Sequence, residues 1–454
     1  MEPNFVDMAP SPSSHIQTLT KIGYTFNSAI SDIIDNSIAA QSKNILIFAS
    51  HQNSSVRIAI CDDGFGMRKD ELIQNMRIGC KDPDDLRGEN DLGRFGSGLK
   101  TASFSQAEIL TVITKTRETD FAGASWNIEE IKKSNSWKLK ILSSSEILKE
   151  LSNIPEIESL GTAVIWNNLH SYINSNDLNS VDLEDMLADQ VTWLKKYIGL
   201  HFHKYLTGSG KITIYVNGDK ILPLSPFLEH EDGYWEGPTQ SFRMRQRLGK
   251  VEVKVHNIPH AGKLSNKGRE QLEVLKSITS GQGFYVYRNN RLIIAGGWLG
   301  LSKNSQLGKL ARVEVNIPSS LDSDWTTDVK KSSIEIPHQV KSRLKAAIET
   351  PVQQSKRAYK YRGVADKAND FWLIIENKAK HEISYQISSN NHELQTLLSQ
   401  LNYNQKQMLT NYLKGLAANI PCHNIYHVMA EGKENINQDY DELEKALSEI
   451  LLNG

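Results

Sequence analysis

Cysteine is scarce and scattered in this chain. Its 454 residues hold three, Cys61, Cys80 and Cys422, none in a CxxC pair. That argues against a disulfide framework or a thiolate zinc site and fits a reducing compartment. Long apolar runs are missing too: no segment approaches the ~18 residues of a membrane-spanning helix. An excess of charge is also absent, with 52 Lys and Arg against 53 Asp and Glu. The chain as a whole therefore gives no electrostatic argument for nucleic acid or membrane, and any such surface must be local. The start, Met1-Glu-Pro-Asn-Phe-Val-Asp7, lacks the basic and apolar blocks of a leader. The expectation is a cytoplasmic protein with no membrane partner, or a nuclear one in an organism with a nucleus. There is no internal repeat and no long low-complexity tract.

The length suits two or three domains, each with its own core. Residues 1–14 are rich in Pro and Ser and read as a mobile N-terminal arm. From His15 to Ala40 apolar residues recur at helical spacing, and Asn44–Phe48 and Val56–Cys61 then read as strands. Helices over 69–77 and 98–105 and strands near 108–116, 122–128, 138–142 and 162–167 complete a first module, 15–180, with helices layered over a mostly antiparallel sheet. Residues 181–206 read as a connecting helix. A second α+β module, 207–350, opens on the strand from Lys211, whose Asn217-Gly218 is a hairpin turn signal. Past Pro351, residues 351–454 are Lys-, Gln- and Asn-rich and read as helical.

Four short elements carry chemistry. In Asp32-Ile-Ile-Asp35-Asn36 the polar positions are spaced i+3 and i+4, so they share a helical face in an otherwise apolar segment. Buried carboxylates are costly unless they bind something. One carboxylate and the Asn carbonyl suit Mg2+, and the other carboxylate can position or deprotonate a water. A polar capping cluster is the alternative reading. Asp62-Asp63-Gly64-Phe65-Gly66-Met67 places a carboxylate at a strand end before two glycines, fit for an exocyclic amine beside a flat ring, or for a plain Asp-Gly turn. Gly93-Arg94-Phe95-Gly96-Ser97-Gly98-Leu99-Lys100-Thr101 can cradle an anion at a helix start. Its spacing is neither GxxxxGK[ST] nor GxGxxG after a first strand. Gly161-Thr162 offers a hydroxyl at a strand start.

In this order the four elements resemble the motifs of the GHKL ATPase superfamily, which includes gyrase B subunits, MutL, the ninety-kilodalton heat-shock chaperone, histidine kinases and MORC proteins. The resemblance covers roughly residues 15 to 345. It is nearest to MORC and bacterial MORC-like ATPases, through Gly98-Leu99-Lys100-Thr101-Ala102 and the strand Tyr287-Arg288-Asn289-Asn290-Arg291-Leu292-Ile293. It implies a Bergerat-type α/β sandwich with helices on one face of a mixed, mostly antiparallel sheet, followed by a transducer-type α+β domain and a helical tail. It also implies ATP and Mg2+ as cofactors. Asn36 would coordinate Mg2+ and Asp62 would bond the adenine amine beside Gly64, Gly66 and Met67. Gly93, Arg94, Phe95, Gly96, Ser97, Gly98, Leu99, Lys100 and Thr101 would wrap the phosphates, with Thr162 and Asp35 completing the site. A transducer lysine at the γ-phosphate would be Lys330 or Lys331. Asp32 stands where most hydrolysing members carry the Glu general base, one methylene shorter, which implies slow hydrolysis.

The family's ATP-dependent homodimer, closed through the N-terminal region, makes residues 1 to about 25 the expected exchanged segment. The tail past Pro351 then serves a dimer contact, partner docking, or simple capping of the second domain. Arg243–Arg269 holds eight basic residues against Glu252 and suits either DNA phosphates or a solvated strand face. Two functions follow: a DNA-associated or defence-associated clamp, with a separate effector protein as a further partner, or a chaperone-like clamp on protein clients. A histidine-kinase reading lacks a preceding membrane span and phospho-acceptor His region. His201 and His203 read as helix-end residues without a third ligand, and Trp298 and Trp325 as core.

Overall fold

The computed structural model describes residues 8 and 10–420 apart from 53–54, 80–97, 153, 155–158, 174–179, 209, 244–248, 306–307, 322–325, 328–333, 365–370 and 378–381. The glycine loop from Gly88 to Ser97, the lysine pair Lys330 and Lys331, Arg245, Arg247, Cys80, Cys422 and Trp325 lie outside the described residues. The chain divides into two compact units at Tyr359/Lys360.

The helical spacing of residues 15–40 resolves into two helices, α1 (Pro12–Thr20) and α2 (Phe26–Ala39). Gly23 breaks the run with φ +67°. Thr25 then caps α2: its Oγ1 accepts from the Ser28 N–H at 3.2 Å, while the Thr25 N–H donates to Ser28 Oγ at 3.0 Å. Helix α1 already starts at Pro12, and both Ser11 Oγ and the Ser13 N–H donate to Asn135 Oδ1. The segment expected as an arm is therefore anchored from Ser11 onward. Ala29, Ile30, Ile33 and Ile34 of α2 are buried, each isoleucine contributing about 1.5–3 kcal/mol.

Strands β1 (Asn44–Gln52) and β2 (Ser55–Asp62) pair antiparallel. Helices α3 (Lys69–Met76) and α4 (Gly98–Gln106) lead into β3 (Ala107–Thr114) and β4 (Ala122–Asn127), then α5 (Ile128–Ser134), β5 (Lys140–Ile141) and α6 (Ser144–Leu151). After β6 (Thr162–Leu169) come α7 (His170–Ile173), α8 (Ser180–His201), β7 (Thr213–Val216) and β8 (Asp219–Lys220). The sheet order is β5-β4-β3-β6-β2-β1-β7-β8, antiparallel except for β1 with β7. Strand β7, expected to open the second module, is thus the first sheet's own edge region. Asn217 and Gly218 take φ +49° and +85° in the β7–β8 turn, as a two-residue hairpin requires. The Asn217 amide also clamps Ala49 of β1, accepting at 2.8 Å and donating at 3.0 Å. One face of the sheet packs under α1, α2, α4, α5 and α8. The other is not bare: Ile147 and Leu151 of α6 cover Ala59, Cys61, Ile113 and Ile165.

The second sheet contains β9 (Trp235–Glu236), β10 (Gln240–Arg243), β11 (Lys250–Asn257), β12 (Gly283–Arg288), β13 (Arg291–Ala295) and β14 (Ala311–Ile317), with α9 (Asn266–Ile278) between β11 and β12. Its order is β10-β11-β14-β12-β13, with β9 on β11. After the pair β15 (Thr326–Thr327) and β16 (Ile334–Glu335) comes α10 (His338–Val364). Val340, Leu344 and Ile348 of α10 close one face of this sheet, and Leu272 and Leu275 of α9 the other. Trp298 is core, edge-on to Phe284 at 5.5 Å.

The second unit is not helical throughout. Strands β17 (Trp372–Asn377) and β18 (Glu382–Ile387) pair antiparallel before α11 (His392–Gln400) and α12 (Tyr403–Ala418), capped by Asn391 and Asn402.

Candidate functional site

Four elements of the first unit meet around α2. Asp62 ends β2 in an almost closed environment, 7 % exposed. Its Oδ1 accepts from the Gly64 N–H at 2.9 Å and its Oδ2 from the Ser37 hydroxyl of α2 at 2.8 Å. Burial outweighs these bonds and raises the carboxyl to about 6. Each oxygen keeps lone-pair capacity beyond its one bond, so a ligand amine can still be accepted. The neighbouring Asp63 works differently. Partial burial pushes it up, but the Asn44 N–H, Ser42 hydroxyl, Asn44 amide and Lys43 N–H all donate to it and hold it below the usual range. Asp63 is a turn staple, and Asp62 is the residue fit for a ligand.

The glycines beside Asp62 are enforced by backbone contact. Gly66 has φ +68°, and a Cβ there would lie 1.8 Å from the Lys115 carbonyl oxygen. A Cβ on Gly161 would lie 2.1 Å from the Gly64 carbonyl oxygen, and one on Gly64 2.8 Å from Ala40 at the end of α2. The Thr114 hydroxyl ties these turns together, accepting from the Met67 N–H at 2.9 Å and donating to the Gly161 carbonyl at 2.8 Å. Its proton thus committed, Thr114 accepts from the Thr162 hydroxyl, 3.0 Å away. Phe65, between the two glycines, is 62 % exposed.

On α2, Asp32 is half-buried and Asn36 exposed. The Tyr24 hydroxyl donates to Asp32 Oδ2 at 2.9 Å. The start of α4 faces the same oxygen, since a Cβ on Gly98 would lie 3.6 Å from it. A carboxylate at a helix N-terminus is favoured by the helix dipole. Asp35 does not converge with Asp32 and Asn36. It is buried and paired with Arg291 of β13, Nε to Oδ1 3.2 Å. Lys100 is 2 % exposed, with its ammonium donating to the Asn75 carbonyl of α3 at 2.7 Å. Leu99 packs against the core and Thr101 is buried. The structure thus gathers Asp32, Asn36, Asp62, Gly64, Gly66, Met67, Gly98, Gly161 and Thr162 around α2, and turns Asp35 and Lys100 toward protein partners.

Sequence reading missed Tyr24, Ser37 and Thr114. Ser37 follows Asp35-Asn36 directly and was open to notice; Tyr24 and Thr114 have no local signal. His201 and His203 are buried and hydrogen-bonded to the Tyr197 and Leu200 carbonyls. Desolvation pushes both down, His203 to about 4, so both are neutral packing residues. Burial, then the Asp62 charge, pushes the Cys61 thiol up to about 12, which leaves it inert. Among the described residues no group of three or more His, Cys, Asp or Glu side chains could hold a metal, and no helix is long and apolar enough to cross a membrane. A cleft of about 720 Å³ elsewhere, lined by Ile38, Lys43, Tyr205, Asn289 and Ser319 among others, holds none of the gathered residues.

A helix-backed carboxylate at a strand end, glycine turns stacked backbone on backbone and a second acid on the flanking helix are the features that the GHKL resemblance implies for an ATP site. Residues 24–161 match the family described as Histidine kinase-, DNA gyrase B-, and HSP90-like ATPase, so the GHKL-type likeness lies in the stretch from the approach to α2 to the turn before β6. A relative narrows the likeness to MORC proteins: ATPase morc-1 of Caenorhabditis elegans is 28% identical over 88 residues, 19% of this chain and 10% of that protein. The match thus spans about a tenth of the length of the relative.

The raised carboxyl of Asp62 gives a pH signature. An amine donates more strongly to an ionised carboxylate than to the neutral acid, so protonation below about 6 would weaken a bond from a ligand amine. The ratio of wild-type to Asp62→Asn affinity for ATP, titrated by calorimetry, is expected to be about 10- to 100-fold at pH 8 and to shrink toward one by pH 5. A ratio flat across that range excludes Asp62 as the charged acceptor.

Proposed function

We propose that this protein binds ATP with Mg2+, hydrolyses it slowly, and uses ATP to close a homodimeric clamp on DNA, in the manner suggested by its MORC and MutL resemblance and suited to nucleic-acid-linked defence. The observation that carries the reading is Asp62, held by Ser37 of the same helix that presents Asp32 and Asn36. In this reading α2 links base recognition, through the Ser37 bond to Asp62, with the phosphate chemistry of Asp32 and Asn36.

In this reading the adenine amine donates to Asp62, with the ring against Gly64 and Gly66. Asn36, an exposed oxygen donor one turn from Asp32, is the protein ligand to Mg2+, a cation that commonly keeps phosphate and water for its other positions. When bound, Mg2+ neutralises charge developing on the phosphates. Asp32 accepts the proton of the attacking water, its carboxylate oriented by the Tyr24 hydroxyl. The family resemblance assigns Gly93, Arg94, Phe95, Gly96 and Ser97 to the phosphates and Lys330 or Lys331 to the γ-phosphate, all outside the described residues.

The DNA arm of the proposal rests on the basic stretch. Arg243 and Lys250 are register partners and both exposed, as are Lys263, Lys267 and Arg269. Lys254 is spent on Glu236 at 2.7 Å. Salt-titrated binding to duplex DNA, with and without a non-hydrolysable ATP analogue, tests it. The analogue is expected to tighten binding and to shift the protein to a dimer in light scattering, and Arg243→Glu with Lys250→Glu is expected to weaken binding and flatten the salt dependence. DNA binding indifferent to both nucleotide and these charges would reject the DNA clamp and leave a clamp on protein clients.

A further inference from the structure

The pair that removes Asp35 from the nucleotide face joins two parts of the first unit. Arg291 starts β13, the edge strand of the second sheet, directly after the Asn289-Asn290 turn, where φ is +45° and +67°. Its Nε donates to Asp35 Oδ1 at 3.2 Å, with the two side chains 6 % and 4 % exposed. Its Nη1 donates to the Leu292 carbonyl at 2.8 Å, and the guanidinium carbon lies 4.1 Å from the centre of the Phe202 ring. The turn before it is fixed as well: the Tyr205 hydroxyl donates to the Asn289 carbonyl, and the Ser319 N–H to Asn289 Oδ1.

A buried ion pair is weak evidence for stability, because apolar residues of similar volume serve as well or better. What it adds is direction. Asp35 lies three residues after Asp32 and one before Asn36, so a rotation of α2 that lengthens the Asp35–Arg291 bond also swings both of those groups. The reverse holds: ligand contacts that fix Asp32 and Asn36 load the arginine and the turn behind it.

We propose that Arg291 is a positioning residue for nucleotide turnover: from the edge of the second sheet it sets the rotation of α2 and makes the β12–β13 hairpin respond to the nucleotide. The proposal rests on the ATP-site reading above. A buried charge cannot lose its partner cheaply, so the test replaces both members. In the full chain, Asp35→Leu with Arg291→Met is expected to melt within a few degrees of wild type and to bind ATP within about threefold. Its kcat is expected to fall at least tenfold at unchanged KM, and the protection from hydrogen exchange that a non-hydrolysable analogue gives residues 286–292 in wild type is expected to disappear. Arg291→Lys, which keeps the charge but loses the planar fork, is expected to lie between the two. Wild-type kcat and wild-type protection in the double variant, or in Arg291→Lys if the double variant does not fold, would reduce the pair to packing and overturn the proposal while leaving the ATP site standing. Failure of the wild-type chain itself to bind ATP would overturn the site reading and this proposal together.

Discussion

Replacing Asp32 with Asn is expected to lower kcat for ATP by roughly 100- to 10,000-fold, the usual worth of a positioned general base, with ATP affinity changed less than about threefold. On the barrier that is about 3–5.5 kcal/mol. The substitution isolates proton acceptance because the rest of the local structure has no reason to change. Asn is nearly isosteric, its carbonyl can still accept the Tyr24 hydroxyl that lies 2.9 Å from Oδ2, and α2 is held by its Thr25–Ser28 cap and its buried isoleucines rather than by this side chain. The residue proposed to read adenine, Asp62, ends strand β2 rather than lying on α2. Tyr24→Phe removes only orientation and is expected to cost much less, of order tenfold. Turnover by Asp32→Asn within twofold of wild type, measured with phosphate release under excess ATP, would dismiss Asp32 as the base.

The chemistry-bearing residues were legible where chemistry is local. The i, i+4 pair Asp32 and Asn36 on α2 and the Asp-x-Gly-x-Gly at a strand end survive as geometry. What failed to read was whatever depends on a distant partner. Helical arithmetic puts Asp35 beside Asp32, and only an arginine 256 residues away decides that it faces elsewhere. Thr114 joins Met67 across 47 residues through one hydroxyl, with no pattern to mark it. The strand from Thr213 carries a hairpin signal that is correct, yet its parallel pairing with β1 places it in the first sheet, a choice made by side-chain fit between strands. Gly23 and the Thr25 cap ended a helix that apolar spacing alone would have continued. The β17–β18 pair was hidden because a polar tail composition favours a helical reading, while Trp372–Asn377 and Glu382–Ile387 carry the apolar and β-branched residues of a short hairpin.

Gly161→Ala tests the glycine architecture most sharply, because its neighbour is backbone. The added Cβ would sit 2.1 Å from the Gly64 oxygen, 2.8 Å from its carbonyl carbon and 2.9 Å from its nitrogen. Relief by a rotamer change is therefore closed, and one of the two chains must move. Neither is loose: the Gly161 N–H donates to the Asp62 carbonyl at 2.7 Å, and the Gly161 carbonyl accepts from the Lys115 N–H at 3.0 Å and the Thr114 hydroxyl at 2.8 Å. On the other side the Gly64 N–H is bound to Asp62 Oδ1, so displacing Gly64 displaces the carboxylate that would read adenine. The expected result is a loss of about 1–3 kcal/mol or more from overpacking, at roughly 2–4 °C of Tm per kcal/mol for a domain of this size. ATP affinity should fall at least tenfold along with it. Gly210→Ala is the matched control: a Cβ there meets nothing within 4 Å, so its Tm should stay within about 2 °C of wild type, as surface substitutions usually do. If Gly161→Ala melts and binds like Gly210→Ala, the two turns can separate without cost. The contact of Gly64 with Gly161 would then not be what holds Asp62 in place.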